Sequence, residues 1–279
     1  MQIGKAMIFK RLVAYNNHSP QSIMLQLGSR RCYLLKENGE LMTFDSCVCL
    51  NSVGNEEIYS ISNSGFCDNA PKVIWPIIED GLTDLDGVKA LIQGMISKSL
   101  SKVNLNVYAV IQPQLTNIEI KAIKDSIDSI DYVKSSSIIF KPIAAAVGIG
   151  LDMNRILPPI FIVDMHCITR GHYTCSSRFQ YGINLTTIIE GRIYESNWFC
   201  AEEDDVIQKV LSRIVFPQPS LYIIGDCDDI YLYCKHFNET GRCAAIVPDN
   251  PDCIALLGLK KMTDDEQYKR YFALKDEDL

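Results

Sequence analysis

One stretch restricts the fold of this chain more than any other: Lys141-Pro142-Ile143-Ala144-Ala145-Ala146-Val147-Gly148-Ile149-Gly150. Proline suits the first turn of a helix, where its missing N–H would be unpaired in any case. The residues behind it are small, and a helix faced with alanine and glycine has almost no side-chain girth. Another backbone can therefore pack close against it, which is the property of a helix that crosses between two lobes or lies under a sheet. Apolar strands are predicted on both sides, Ser137 to Phe140 before it and Ile160 to Val163 after it, the second ending on Asp164. A polar turn through Thr169-Arg170-Gly171 leads to a third predicted strand, Tyr173 to Phe179.

The rest of the chain alternates strand and helix patterns. Ser22 to Leu35 reads as a hairpin around Gly28-Ser29-Arg30, and Phe44 to Leu50 as a further strand. Asn51 to Asp68 reads as a polar loop. Thr83 with Asp86, and Thr116 with Glu119, give capping-box spacings. Each precedes apolar residues at helical spacing: Val88, Leu91, Ile92, Met95 and Ile96 in one case, Ile120, Ile123, Ile127 and Ile130 in the other. A strand is predicted between them, Val107 to Ile111. Thr186 to Gln218 offers an acidic run, Glu202 to Asp205, and a helical pattern in Val206, Val210, Leu211 and Ile214. Strands are predicted over Leu221 to Gly225 and Ala244 to Val247, and a helix over Ala255 to Lys261. Thr263 with Glu266 caps a last predicted helix with Tyr268, Tyr271 and Phe272. This alternation points to an α/β protein. No internal sequence repeat is visible.

Composition excludes several classes. A net charge of −7 argues against a nucleic-acid binder, which would carry a basic stripe. No apolar run has the length of a membrane-spanning helix, about 20 residues. The 11 cysteines are irregularly spaced and form no Cys-x-x-Cys pair, so they read as reduced, mostly buried thiols of a cytoplasmic protein. His166, Cys167, His172 and Cys175 lack a recognised zinc spacing, and no metal site is expected. Residues 1–13 mix Lys5, Lys10 and Arg11 with Met1, Ile3, Met7, Ile8, Phe9, Leu12 and Val13 and contain no signal-peptide pattern. They suit either an anionic membrane surface or a first core segment.

The Pro-Ile-Ala-Ala-Ala-Val-Gly-Ile-Gly helix followed by Ile-Phe-Ile-Val-Asp resembles the MreB-type bacterial actin homologues, the family of cell-shape proteins. Pro76-Ile77-Ile78-Glu79-Asp80-Gly81-Leu82 and the helix after it are similar to another family segment, as is Val110-Ile111-Gln112-Pro113-Gln114-Leu115-Thr116. The resemblance runs from about Ser22 to Leu185 and returns, weaker, from Pro219 to Leu259. It implies a two-lobed actin-like fold built on ribonuclease H-like repeats. Lobe I would take residues 1–143 plus 257–279, and lobe II residues 144–256. Both outer subdomains would be reduced, and that of lobe II largely missing. It also implies cytoskeletal or cell-shape partners, altered or absent self-assembly, and a peripheral membrane contact through residues 1–13, which some family members make with an N-terminal helix.

The resemblance further implies where ATP and Mg²⁺ would sit. Family members hold the phosphates on two glycine-bearing hairpin loops, the adenosine on a third turn, and the metal between carboxylates. The corresponding positions here are Gln26, Gly28, Asp164 and Gly225. Gln26 is an amide where the family has an acid. Met165-His166-Cys167 follows Asp164 where the family has glycines, and Asp226-Cys227-Asp228-Asp229 follows Gly225. Lys141 stands where the family has the glutamate that positions water, and an ammonium accepts no hydrogen bond. The expectation is therefore a vestigial nucleotide site with no catalytic residue and no required cofactor. The alternative is a working ATPase or kinase of the same superfamily.

Overall fold

The structure is a computed structural model that describes residues 20–53, 56–61, 72–78, 81–99, 104–168 and 180–272. The predicted strand over Tyr173 to Phe179 and the basic, apolar residues 1–13 lie outside the described residues.

The first sheet is built from β1 (Gln21–Gln26), β2 (Arg31–Lys36) and β3 (Leu41–Asp45) as an antiparallel meander. The chain then makes a small three-stranded sheet from β4 (Val48–Val53), β5 (Glu56–Ile61) and β6 (Lys72–Ile74), and a ribbon of β7 (Ile77–Ile78) and β8 (Gly81–Leu82). Helix α1 (Leu85–Ser99) follows. Strand β9 (Leu105–Ile111), helix α2 (Asn117–Asp128) and strand β10 (Val133–Phe140) complete the first half. β9 and β10 run parallel to β1, giving the order β10-β9-β1-β2-β3.

After helix α3 (Lys141–Ile149) the same plan begins again. β11 (Ile160–Cys167), β12 (Gln180–Ile189) and β13 (Arg192–Glu202) form the meander. Helix α4 (Val206–Leu211) leads to β14 (Ser220–Ile224), then helix α5 (Ile230–Glu239) and β15 (Ala244–Ile246). The order β13-β12-β11-β14-β15 repeats that of the first sheet, with β14 and β15 parallel to β11. The repeat is therefore one of topology. It escapes a search for sequence identity because only the apolar pattern has to recur. Helix α6 (Ile254–Asp264) and a 3₁₀ segment, Glu266–Phe272, close the described chain.

Several boundaries differ from the sequence reading. Asn51 to Asp68 is partly strand, because β4 runs to Val53 and pairs with β5. The first helix is capped by Asp84, whose carboxylate accepts from Gly87 N–H at 2.6 Å, while the Thr83 hydroxyl donates to Trp75 O at 2.7 Å. The Thr116–Glu119 capping box is present as read. Thr263 lies inside α6, and Asp265 receives the Gln267 N–H at 3.0 Å instead. β13 and α5 were not anticipated. Cys49 is disulfide-bonded, so the expectation of reduced thiols fails there.

Three apolar clusters hold these layers. The first joins the outer face of the first sheet to α1 and α2, and the third joins the second sheet to α4 and α5. The middle cluster contains residues of both sheets, including Met24, Val110 and Ile139 from one and Ile160, Ile162 and Ile224 from the other, packed around α3 and α6. The two helices touch backbone to backbone. A Cβ on Gly258 would lie 1.8 Å from Ala144 O, and one on Gly148 would lie 2.3 Å from Ile254 O. Both contacts fall at i, i+4 positions, so each helix presents a flat strip to the other. Lys261 Nζ also donates to Gly148 O at 2.8 Å.

Because no side chain can rotate out of such a contact, the helices must separate to admit even a methyl group. Gly258→Ala is expected to destabilise the protein by about 3 kcal/mol, the upper end of overpacking costs. Ile118→Ala, at a residue 82% exposed, is expected to change stability by less than about 0.5 kcal/mol. Urea unfolding of the two variants checks the contrast, and equal stabilities would remove the crossing as the determinant.

Candidate functional site

In each sheet the parallel strands end at the same cleft, the switch point at which open α/β sheets bind ligands. The first sheet presents Gln26 at the end of β1, Gln112 one residue beyond β9, and Lys141 one residue beyond β10. The second presents Asp164 on β11 and Gly225 one residue beyond β14. Gln26 and Asp164 occupy equivalent places in the two repeats, since each closes the run paired with the next parallel strand: Gln26 with Val110, Asp164 with Ile224. The structure thus brings all four sequence-predicted residues to one cleft, Gly28 standing in its β1–β2 turn.

Their bonding is mostly to other protein groups. Lys141 Nζ lies 2.9 Å from Asp164 Oδ1 and 2.6 Å from Oδ2, with both residues buried. Gln112 Nε2 donates to Asp164 Oδ2 at 2.7 Å. Asn184, the cross-strand partner of Asp164, donates to Gln112 Oε1 at 3.3 Å and to Gln114 Oε1 at 2.5 Å. Its carbonyl oxygen accepts from Ser196 at 2.8 Å and Thr186 at 3.2 Å. Gln26 Nε2 donates to Asp252 O at 2.8 Å, and Tyr33 OH to the Asp252 carboxylate at 3.2 Å. At the mouth, Arg30 from the β1–β2 turn reaches Asp226 O at 3.3 Å and the Asp228 carboxylate at 3.2 Å.

The two glycines answer to backbone contacts. A Cβ on Gly28 would lie 2.7 Å from Arg31 O within its own hairpin. Gly225 has φ +115° and would place a Cβ 2.0 Å from Met165 O and 2.8 Å from Asp164 Oδ1. The Gly225 N–H is bonded to Pro251 O at 2.9 Å. Gln112, Gln114, Asn184, Asp252, Tyr33 and Arg30 belong to the cleft but were not singled out from sequence. A polar residue at the carboxyl end of a predicted parallel strand is the signal that marks Gln112. Asn184 and Asp252 carry no such signal.

The charges follow from this bonding. Burial alone would raise the Asp164 carboxyl, but Lys141, His166 and the Gln112 hydrogen bond outweigh it and hold it below the usual carboxylate range. Asp226 is shifted the other way, first by burial and also by the nearby Asp164, against the pull of His166, Lys141 and Arg30. Among the described residues, no group of three or more His, Cys, Asp or Glu is placed to hold a metal ion. His172 and Cys175 lie outside them. No helix among the described residues is long and apolar enough to cross a membrane.

Two five-stranded sheets of identical order, packed on a shared helix pair with a cleft between them, define an actin-like fold with reduced outer subdomains. Among the described residues the first half carries the small β5-β4-β6 sheet and the β7–β8 ribbon beside its main sheet, and a 3₁₀ turn, Glu203–Asp205, with α4 separates β13 from β14. No protein-family model and no curated protein sequence matches the chain. Solved structures do. MreB5 of Spiroplasma citri bound to ADP is similar with a TM-score of 0.66 and 12% identity, covering 88% of this chain and 97% of that one. The same protein bound to AMPPNP gives 0.65 at 12% identity, with 88% and 97% covered. The MamK double helical filament gives 0.56 at 8% identity, with 88% and 99% covered. At these identities the likeness establishes the fold.

Removing the cation from the buried pair gives a test with a defined sign. Lys141→Met leaves Asp164 buried without its counter-charge, and unfolding free energy at pH 7 should fall by about 3–5 kcal/mol. In the wild type the Asp164 pKa is depressed, so its contribution is present above the unfolded pKa and is lost as pH falls through the folded one. In the variant burial acts without the cation and raises the carboxyl, so its penalty should shrink as pH is lowered from 7 towards about 4, near the model-peptide value. Denaturant unfolding across that range checks this, and a pH-independent penalty would contradict it.

Proposed function

We propose that this chain is a divergent actin-like cytoskeletal or cell-shape protein whose nucleotide site is vestigial, and that it acts through protein–protein contacts without ATP turnover. The observation that carries this reading is the Lys141–Asp164–Gln112–Asn184 network. It joins the two sheets where the resemblance places water positioning and metal binding. A magnesium triphosphate is a poor fit to these residues. Asp164 is neutralised by Lys141, the Gly225 N–H is already bonded to Pro251 O, and Asp226 and Asp228 would oppose phosphate charge. Phosphoryl transfer relies on positioned donors, metal and an oriented nucleophile. Lys141 cannot orient water as a glutamate would. No catalytic residue and no cofactor is assigned.

The partners fitting this reading are other cytoskeletal proteins, with a peripheral membrane contact through residues 1–13 as a further proposal and cytoplasmic residence to match. One of the similar solved structures is a double helical filament. Filaments of this fold use surfaces of both lobes, so reduced outer subdomains suit accessory binding better than self-assembly. Thermal unfolding with millimolar Mg-ATP tests the reading. A native-state ligand at about 100-fold saturation stabilises by roughly 2.7 kcal/mol. No shift in Tm is expected, nor any pelleting of the pure protein. A clear rise in Tm would favour a working ATPase or kinase of the superfamily, and ordered double filaments would contradict the accessory role.

A further inference from the structure

β11 and β14 lie side by side, parallel and in register from Phe161 with Leu221 to Asp164 with Ile224. Three residues beyond the last pair, each strand reaches a cysteine: Cys167 on β11 and Cys227 after β14. Gly225 lets the second segment come close to the first, because any side chain there would collide with Met165 O. The two thiols are thus neighbours, and each is the largest influence on the other's ionisation. Arg30 stands over the same place from the first sheet, bonded to Asp226 O and to the Asp228 carboxylate. Cys167 is half-buried, and Cys227 is 4% exposed.

We propose that Cys167 is a modification site, a reactive thiol that takes up peroxide oxygen, and that Cys227 is its resolving thiol. A neighbouring thiol and the Arg30 guanidinium at the same strand ends form the electropositive setting in which thiolates are reactive. Those groups outweigh burial and the opposing Asp228 charge and bring the Cys167 thiol down to about 7. Cys227 moves the other way, chiefly because of the neighbouring Cys167 and its own burial, so it remains the protonated member of the pair.

The chemistry balances with a hydroperoxide as the oxidant. The Cys167 thiolate attacks the O–O bond, takes one oxygen as a sulfenic acid and releases hydroxide, or alkoxide from an organic peroxide, which is protonated by solvent. The Cys227 sulfur then attacks the sulfenic sulfur. Its proton leaves with the displaced hydroxide as water, and a disulfide remains. Two thiols are oxidised and one peroxide is reduced. The product would tie β11 to the β14–α5 loop and remove the negative sulfur beside Arg30, loosening the charge contact that spans the mouth of the cleft.

Peptide mapping after stoichiometric hydrogen peroxide tests this on the full chain. The wild type should yield a Cys167–Cys227 disulfide. Cys227→Ser should stop at a sulfenic acid on Cys167 that dimedone traps, and Cys167→Ser should leave Cys227 reduced. Iodoacetamide labelling of the wild type needs no variant to fold. At pH 7 Cys167 should react at least about 10-fold faster than Cys200 or Cys234, which are also half-buried. Its rate should have a pH midpoint near 7 that Arg30→Gln moves upward. Labelling of Cys167 no faster than Cys200, or peroxide products that omit the Cys167–Cys227 link, would overturn the proposal.

Discussion

The architecture depends on one contact, the crossing of α3 and α6 at Gly148 and Gly258. With 1.8 Å and 2.3 Å between the positions of missing methyl groups and facing carbonyl oxygens, the helices meet through their backbones. That closeness lets one thin layer of helix serve both sheets. Residues from each sheet pack on it in a common core. It also fixes how far apart the carboxyl ends of the parallel strands stand. Gln112 can therefore reach Asp164, and Gln26 can reach Asp252. A thicker pair would open the cleft and leave those buried amides and the carboxylate without partners, at a cost of about 1–3 kcal/mol for each neutral group and more for the charge.

Actin-like proteins with an open cleft have a place for a ligand to bias one arrangement of the lobes over another. Coupling of that kind requires the ligand to bind the two arrangements differently. In this chain side chains of the two halves bond one another across the same place. The Lys141–Asp164 pair and its amide neighbours sit inside, and Arg30 with Asp226 and Asp228 sits at the rim. Under the proposed reading the closed arrangement is built in, and what varies is who binds the outside. The thiol pair at the rim adds a covalent event that nucleotide chemistry does not require.

Much of the fold was legible because it is written in local patterns. Pro142 and the alanines announced α3, Thr116 and Glu119 announced α2, and the apolar runs ending in Asp164 and Gly225 marked the central strands of the second sheet. What escaped has physical reasons. β13 reads Arg-Ile-Tyr-Glu-Ser-Asn-Trp-Phe-Cys-Ala-Glu, an edge strand in which polar and apolar residues mix on both faces, so its alternation is weak. α5 shows only Ile230, Tyr233 and Phe237 as buried anchors, and its N-cap makes no side-chain bond that a capping signature could reveal. The side chains of Gln26 and Asp164 were marked by their place at strand ends, but their bonding partners come from 23 or more residues away, as Asp164 with Lys141 and Gln26 with Asp252 illustrate. Such pairings are set by the crossing of α3 and α6 and by strand order. No spacing within a segment encodes them.

Amide hydrogen exchange of the nucleotide-free protein tests the central claim most directly. The segments around Gly225 and around residues 250–256 face each other across the Gly225 N–H to Pro251 O bond, beside the Gln26 contact to Asp252. If protein groups alone hold the cleft closed, these amides exchange as slowly as those of β11 and β9, and adding Mg-ATP changes nothing. Fast exchange there without nucleotide, slowed when Mg-ATP is added, would contradict the account and return the cleft to a ligand.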